Sequence, residues 1–144
     1  MYNFVQNLHS GLAYLVLISI IGAILFTLIN YFRGQEFHDG IQKSALVAFV
    51  FSHTQFLVGL IIYFLSPLGF SNFSGEAMGD SISRLYILEH PLTMILAVVF
   101  ITLGYTRSKK APESSKKYKM LLIFYILGLI LMFLRIPWEA WGSA

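Results

Sequence analysis

The chain's four histidines are the side chains best suited to carry chemistry: His9, His38, His53 and His90. A neutral imidazole ligates transition metals and changes charge near neutral pH, so each is a candidate ligand or proton carrier. His9 and His90 each stand close to the start of a long apolar stretch, His53 lies in the middle of another, and His38 falls between two. The chain has no cysteine, which excludes disulfides, thiolate zinc sites, iron–sulfur clusters and the Cys-x-x-Cys-His attachment of c-type haem. Two imidazoles at one depth on parallel helices are what an iron porphyrin held from both faces requires. These residues therefore suggest a haem b, bound without thioether bonds, with His9 and His90 as the iron ligands and His53 as the alternative.

The elements that must position them follow from composition. With 57% hydrophobic and 12% charged residues in 144 positions, the chain has more apolar surface than a soluble domain of this size can bury. Four apolar runs, about 4–32, 44–65, 84–105 and 120–136, come close to the ~20 residues that cross ~30 Å of hydrocarbon. The fold class expected is all-α, an integral membrane four-helix up-down bundle forming one transmembrane domain over 1–144. The first run lacks a basic leader and ends in Asn30-Tyr31-Phe32-Arg33, so it is expected to be retained.

Eight of the ten basic residues (Arg33, Lys43, Arg107, Lys109, Lys110, Lys116, Lys117 and Lys119) fall in the segments after runs one and three, leaving Arg84 and Arg135 for the opposite side. The positive-inside rule makes the eight-residue side cytoplasmic, with both termini outside, in a bacterial cytoplasmic (inner) membrane. The lysines are read as setting topology and touching anionic lipid, and no nucleic-acid partner is expected. Segment 106–118 reads as a mobile connector. The outer loop from Ser66 reads as a cap on the membrane surface, with Phe70 and Phe73 at the interface. Its Ser71, Ser74, Glu76 and Asp80 form no recognisable catalytic set. Pro137-Trp138-Glu139-Ala140-Trp141 reads as a helix stop followed by aromatic anchors.

Counted from the outer ends of their runs, His9 and His90 lie about five and six residues in, so a 1.5 Å rise sets both ~8–9 Å below the rim. Counted from the cytoplasmic ends, they differ by ~12 Å unless the first helix projects or tilts. Helices one and three sit on the diagonal of such a bundle, ~13 Å apart, and a porphyrin can stand between them. Close approach needs small residues, which Gly11, Ala13, Gly22 and Ala23 supply on one side and Thr93 and Ala97 on the other; tight helix packing alone accounts for them equally well. Arg135 needs an anionic partner, either haem propionates or Glu89 or Glu139. His53, mid-membrane, is a candidate metal ligand, quinone contact or proton relay, or else a neutral histidine satisfied by a neighbouring helix. His38 reads as a solvated surface histidine.

Three segments carry a family resemblance: His9-Ser10-Gly11-Leu12-Ala13, Gln55-Phe56-Leu57-Val58-Gly59-Leu60 and Leu88-Glu89-His90-Pro91-Leu92. Together they resemble the helix pattern of one half of the haem A synthase family, and also small four-helix membrane proteins described as cytochrome b-like. The resemblance implies that His9 and His90 are axial ligands and that Gln55 lies near the cofactor. This chain has one such half where that family has two, and Gln6 stands where the family places an acidic residue. The expectation is thus a haem b electron-transfer protein, with quinol as a plausible lipid-side partner and a homodimer or a larger membrane complex as the assembly. The alternatives are a cofactor-free accessory subunit and a small metal-handling or transport protein using His53 with His90 and Glu89.

Overall fold

The computed structural model describes residues 1–142, all helix and connecting turns with no strand among them. Helix α1 spans Tyr2–Phe32 and α2 spans Asp39–Leu65. After a 3₁₀ turn at Phe70–Asn72 come the short helices α3 (Gly75–Gly79) and α4 (Ser81–Arg84). A π turn at Leu85–Glu89 then leads without a break into α5 (His90–Lys110). Helix α6 spans Ser114–Arg135 and α7 spans Trp138–Gly142. Four helical stretches, Tyr2–Phe32, Asp39–Leu65, Ser81–Lys110 and Ser114–Arg135, are long and apolar enough to cross a membrane.

These helices run past the apolar runs at their polar ends. The connector between α5 and α6 is only 111–113, because lysine is a good helix former and the basic segment joins the two helices. Lys117 reaches back with Nζ to the carbonyls of Ser108 and Lys109, 3.0 Å each, placing a cation on the unpaired end of α5. Helix α1 ends where Gly34 takes a φ of +68°, a left-handed turn that glycine enters without steric cost. His38, read above as a solvated residue, is the N-cap of α2. Its Nδ1 accepts from the Gly40 amide, so Nε2 donates to Asn30 Oδ1 at 3.1 Å.

Within the apolar helices the hydroxyls bond back to their own backbone, as Thr27 does to Ala23, Thr54 to Val50 and Thr106 to Thr102, so few polar groups remain to be satisfied elsewhere. Helix α1 packs against α2 and α6, and α5 against the same two, which sets α1 and α5 on the diagonal. At one end Tyr2 meets Ser66, Tyr63 meets Ile87 and Trp141 meets Ser10; at the other Phe37 meets Ser114 and Tyr118 meets Gln35. The four long helices therefore alternate in direction.

The packed core runs from the middle of the bundle towards the lysine end. It includes Ile20, Ala45, Ala97, Ile101, Leu121 and Tyr125, and Tyr125 donates its hydroxyl to the Ala45 carbonyl at 2.6 Å. Large apolar side chains face outward on all four long helices, among them Ile18, Leu57, Leu96 and Leu134. The opposite end of the bundle is not filled, and there the two histidines meet.

Candidate cofactor site at the open end of the bundle

A cavity of about 570 Å³ opens among α1, α2, α5 and α6, within the size range of cofactor and ligand sites. Its walls are mostly apolar, with Val16, Phe56, Met94, Val98 and Met132 towards the core and Tyr2, Tyr86 and Trp141 towards the end. Leu60, Phe64, Leu92 and Ile95 of α2 and α5 line the cavity and are exposed.

His9 and His90 both line this cavity from diagonal helices. Their ring centroids are 6.3 Å apart and their planes lie at 89°. Each is half-buried. Two metal–nitrogen bonds of about 2.0 Å and two ring radii of about 1.1 Å would separate coaxial imidazole centres by about 6.2 Å. The pair thus stands at the spacing of two imidazoles sharing one metal. Among the described residues no three His, Asp or Glu come together as a metal-ion cluster, so a bare ion would find only two ligands here. A porphyrin supplies four equatorial nitrogens of its own and asks the protein for two, which makes it the metal group that these residues fit.

The local backbone explains the placement of His90. Pro91 has no N–H, so the carbonyl four residues earlier, Ile87, loses its helical donor. The chain answers with the π turn, in which the His90 amide reaches Leu85 instead, and Tyr63 on α2 donates its hydroxyl to Ile87 O at 2.9 Å. The ring is then fixed from the far side. His90 Nδ1–H donates to the Arg135 carbonyl at 2.8 Å, leaving Nε2 as a bare acceptor or ligand atom.

His9 is positioned by α2. A Cβ at Gly59 would stand 3.2 Å from His9 Cε1, so the missing side chain is the space the ring occupies. Gln55 donates from Nε2 to the His9 carbonyl at 2.8 Å. Among the described residues, three buried side-chain polar atoms have no protein partner: His9 Nδ1, Gln55 Oε1 and Ser52 Oγ.

The other candidates sit elsewhere. Arg135 does not line the cavity: its Nε lies 3.3 Å from Glu89 Oε2, while Arg84 Nε lies 2.9 Å from Glu89 Oε1. Of the partners considered for Arg135, this geometry realises the ion pair, and the residue's contribution near the cavity is its backbone carbonyl. Gly11 lies in a shallow pocket of about 190 Å³ beneath Trp141, and Thr93 does not line the main cavity. His53 is outside it as well. Its Nδ1 bonds to Phe49 O at 2.7 Å and its Nε2 to Thr102 Oγ1 at 3.0 Å, with the ring tilted against Phe49. Both nitrogens are engaged, one within α2 and the other across to α5, and among the described residues no cluster of His53, His90 and Glu89 forms.

Sequence reading did not single out Gly59, Tyr63 or Ser52. Pro91 carried a usable signal for Tyr63, since a proline one residue into a span frees a carbonyl that must find a donor. No family model, curated protein or solved structure matches this chain.

Proposed function

We propose that the chain is an integral membrane protein that binds one b-type haem between His9 and His90 and transfers electrons. One observation carries this reading: two imidazoles from diagonal helices meet at 6.3 Å in a mostly apolar cavity. Haem iron held by two imidazoles has no open coordination position, so the chemistry it supplies is one-electron transfer. The protein's part is to hold the two rings, to fix His90 as the Nδ1–H tautomer through the Arg135 carbonyl, and to exclude water with apolar walls. The resemblance of the segments around His9, Gln55 and His90 to one half of the haem A synthase family supports the same ligand pair.

The outward-facing apolar side chains support insertion in a bilayer. The basic residues at the α1–α2 and α5–α6 turns support a cytoplasmic location for that end, which in this reading puts the haem near the outer face and both termini outside. The cavity lining includes the exposed apolar side chains Leu60, Phe64, Leu92 and Ile95, which suits an apolar cofactor and approach of a quinol from the lipid.

The test is the visible spectrum of the detergent-extracted chain. Wild type and His53→Ala show a low-spin bis-imidazole spectrum, and His9→Ala and His90→Ala lose it. A colourless protein that also fails to take up added haem, or a spectrum abolished only by His53→Ala, refutes the proposal. The first result favours a cofactor-free subunit in which the edge-on His9–His90 contact ties α1 to α5.

A further inference from the structure

His90 has a direct partner on its outer nitrogen, and His9 has none. His9 Nδ1 is buried without a protein partner, as are Gln55 Oε1 and Ser52 Oγ. An unmade hydrogen bond at a buried group costs about 1–3 kcal/mol, so three orphans in one neighbourhood require an explanation. They do share a neighbourhood. Ser52, Gln55 and Gly59 recur at i, i+3 and i+7, a single face of α2. Gly59 faces the His9 ring and Gln55 reaches the His9 carbonyl. Ser52 is 2% exposed and lines the same cavity.

The three atoms also complement one another. The Gln55 amide is oriented by its donation to the His9 carbonyl, which leaves Oε1 as a pure acceptor. If Nε2 of His9 faces the metal, Nδ1 carries the proton and is a pure donor. Ser52 Oγ can donate and accept. No two of them bond directly in this structure, and a molecule that accepts one hydrogen bond and donates another satisfies His9 Nδ1 and Gln55 Oε1 together.

We infer that a buried water sits on this face of α2, accepting from His9 Nδ1–H and donating to Gln55 Oε1. A buried water ordinarily makes about two to four hydrogen bonds, and these two are available here. Gln55 is then a positioning residue that acts on the haem through this water and His9. It does for His9 what the Arg135 carbonyl does for His90. An acceptor on the far nitrogen raises the basicity of an imidazole ligand and fixes its tautomer. A more basic ligand favours oxidised iron, so the water lowers the midpoint potential.

The inference rests on the haem reading for one of its two measurements. With haem b bound, Gln55→Leu keeps the bis-imidazole spectrum and raises the midpoint potential, because no acceptor is left for the water. Gln55→Glu offers a stronger acceptor and shifts the potential the opposite way. Both variants lose the amide donor to the His9 carbonyl, so equal shifts in the same direction would show that this backbone bond alone matters and would overturn the inference.

The second measurement needs no haem. In the haem-free full-length chain labelled with ¹⁵N-histidine, His9 is the Nδ1–H tautomer in wild type and a tautomer mixture in Gln55→Leu. Identical His9 nitrogen shifts in wild type and Gln55→Leu refute the water. Absence of a haem spectrum refutes the functional reading instead, and the nitrogen shifts then decide the water alone. Should Gln55→Leu fail to fold, Gln55→Glu carries both arms.

Discussion

Gly59→Ala is the sharpest probe of the site, because the structure says how far the ring must move. A Cβ at residue 59 would lie 3.2 Å from His9 Cε1 and 3.7 Å from Nδ1. Carbon atoms rest at about 3.5–4.0 Å, so the imidazole must retreat by about 0.3–0.8 Å. Metal–nitrogen bonds hold their length to within about 0.2 Å, so a displacement of that size is paid in strain or in a lengthened bond. Disturbing the support of a metal-bound histidine lowers affinity by about 10–100-fold, or about 1.4–2.7 kcal/mol. Gly11→Ala is the matched control: the same methyl on the residue two positions after His9 meets no atom within 4 Å and adds helix propensity. Titrating haem b into the haem-free chain in detergent, with the Soret band as readout, should therefore show weakened binding for Gly59→Ala and unchanged binding for Gly11→Ala. Wild-type affinity in Gly59→Ala, or equal losses in the two variants, would refute the assignment of Gly59 as the wall behind His9.

His53→Ala should leave the haem spectrum intact while lowering resistance to thermal unfolding by about 1–2 kcal/mol, since its bond to Thr102 ties α2 to α5; a lost spectrum contradicts its place outside the cavity. Tyr63→Phe removes the donor to Ile87 O and should cost about 1–3 kcal/mol, with the low-spin spectrum broadened as His90 loosens; wild-type stability would mean the carbonyl finds another donor. Asp80, the N-cap of α4, has its carboxyl held below the usual carboxylate range by hydrogen bonds from the Ser83 amide. A folded-state pKa lowered in this way gives stabilisation that is present above the unfolded value and lost as pH falls through the folded one. The Ser83 amide resonance should accordingly move with a midpoint below that of a free aspartate, and Asp80→Asn, which keeps a cap without the charge, should abolish the movement.

The bundle was legible because a membrane-length helix announces itself by composition: four apolar runs, turns between them and a lopsided distribution of lysines. The diagonal placement of the first and third spans followed from order alone, and it brings His9 and His90 together. Helix ends were less legible. Hydropathy marks where apolar side chains stop, whereas the α5 and α6 helices continue through Arg107 to Lys110 and from Ser114, where lysine and serine are helical but polar. Small residues misled for a related reason. Gly11 and Thr93 looked like clearance for a cofactor because each lies close in sequence to a histidine. The residue that does make room is Gly59 on α2, whose neighbour His9 is fifty positions away. Arg135 divides the same way: its side chain obeys the electrostatic argument and finds Glu89, while the contribution to His90 comes from a backbone carbonyl that no residue type encodes.

These supports converge on α2, a helix that contributes neither ring of the pair. Gln55, Gly59 and Tyr63 recur every fourth residue along it. The first bonds the His9 backbone, the second shapes the space for the His9 ring, and the third holds the carbonyl that Pro91 frees beside His90. A four-residue repeat drifts only slowly around a helix, so one stripe of α2 faces both partners at successive depths. The two imidazoles belong to helices that scarcely touch each other, and their separation is therefore set through this third helix. His53, two residues before Gln55 and so on another side of α2, anchors that helix to α5 through Thr102 and resists sliding of the stripe past the residues it positions. The histidine that at first rivals the pair as a ligand thus contributes by fixing the register of the helix that sets their spacing.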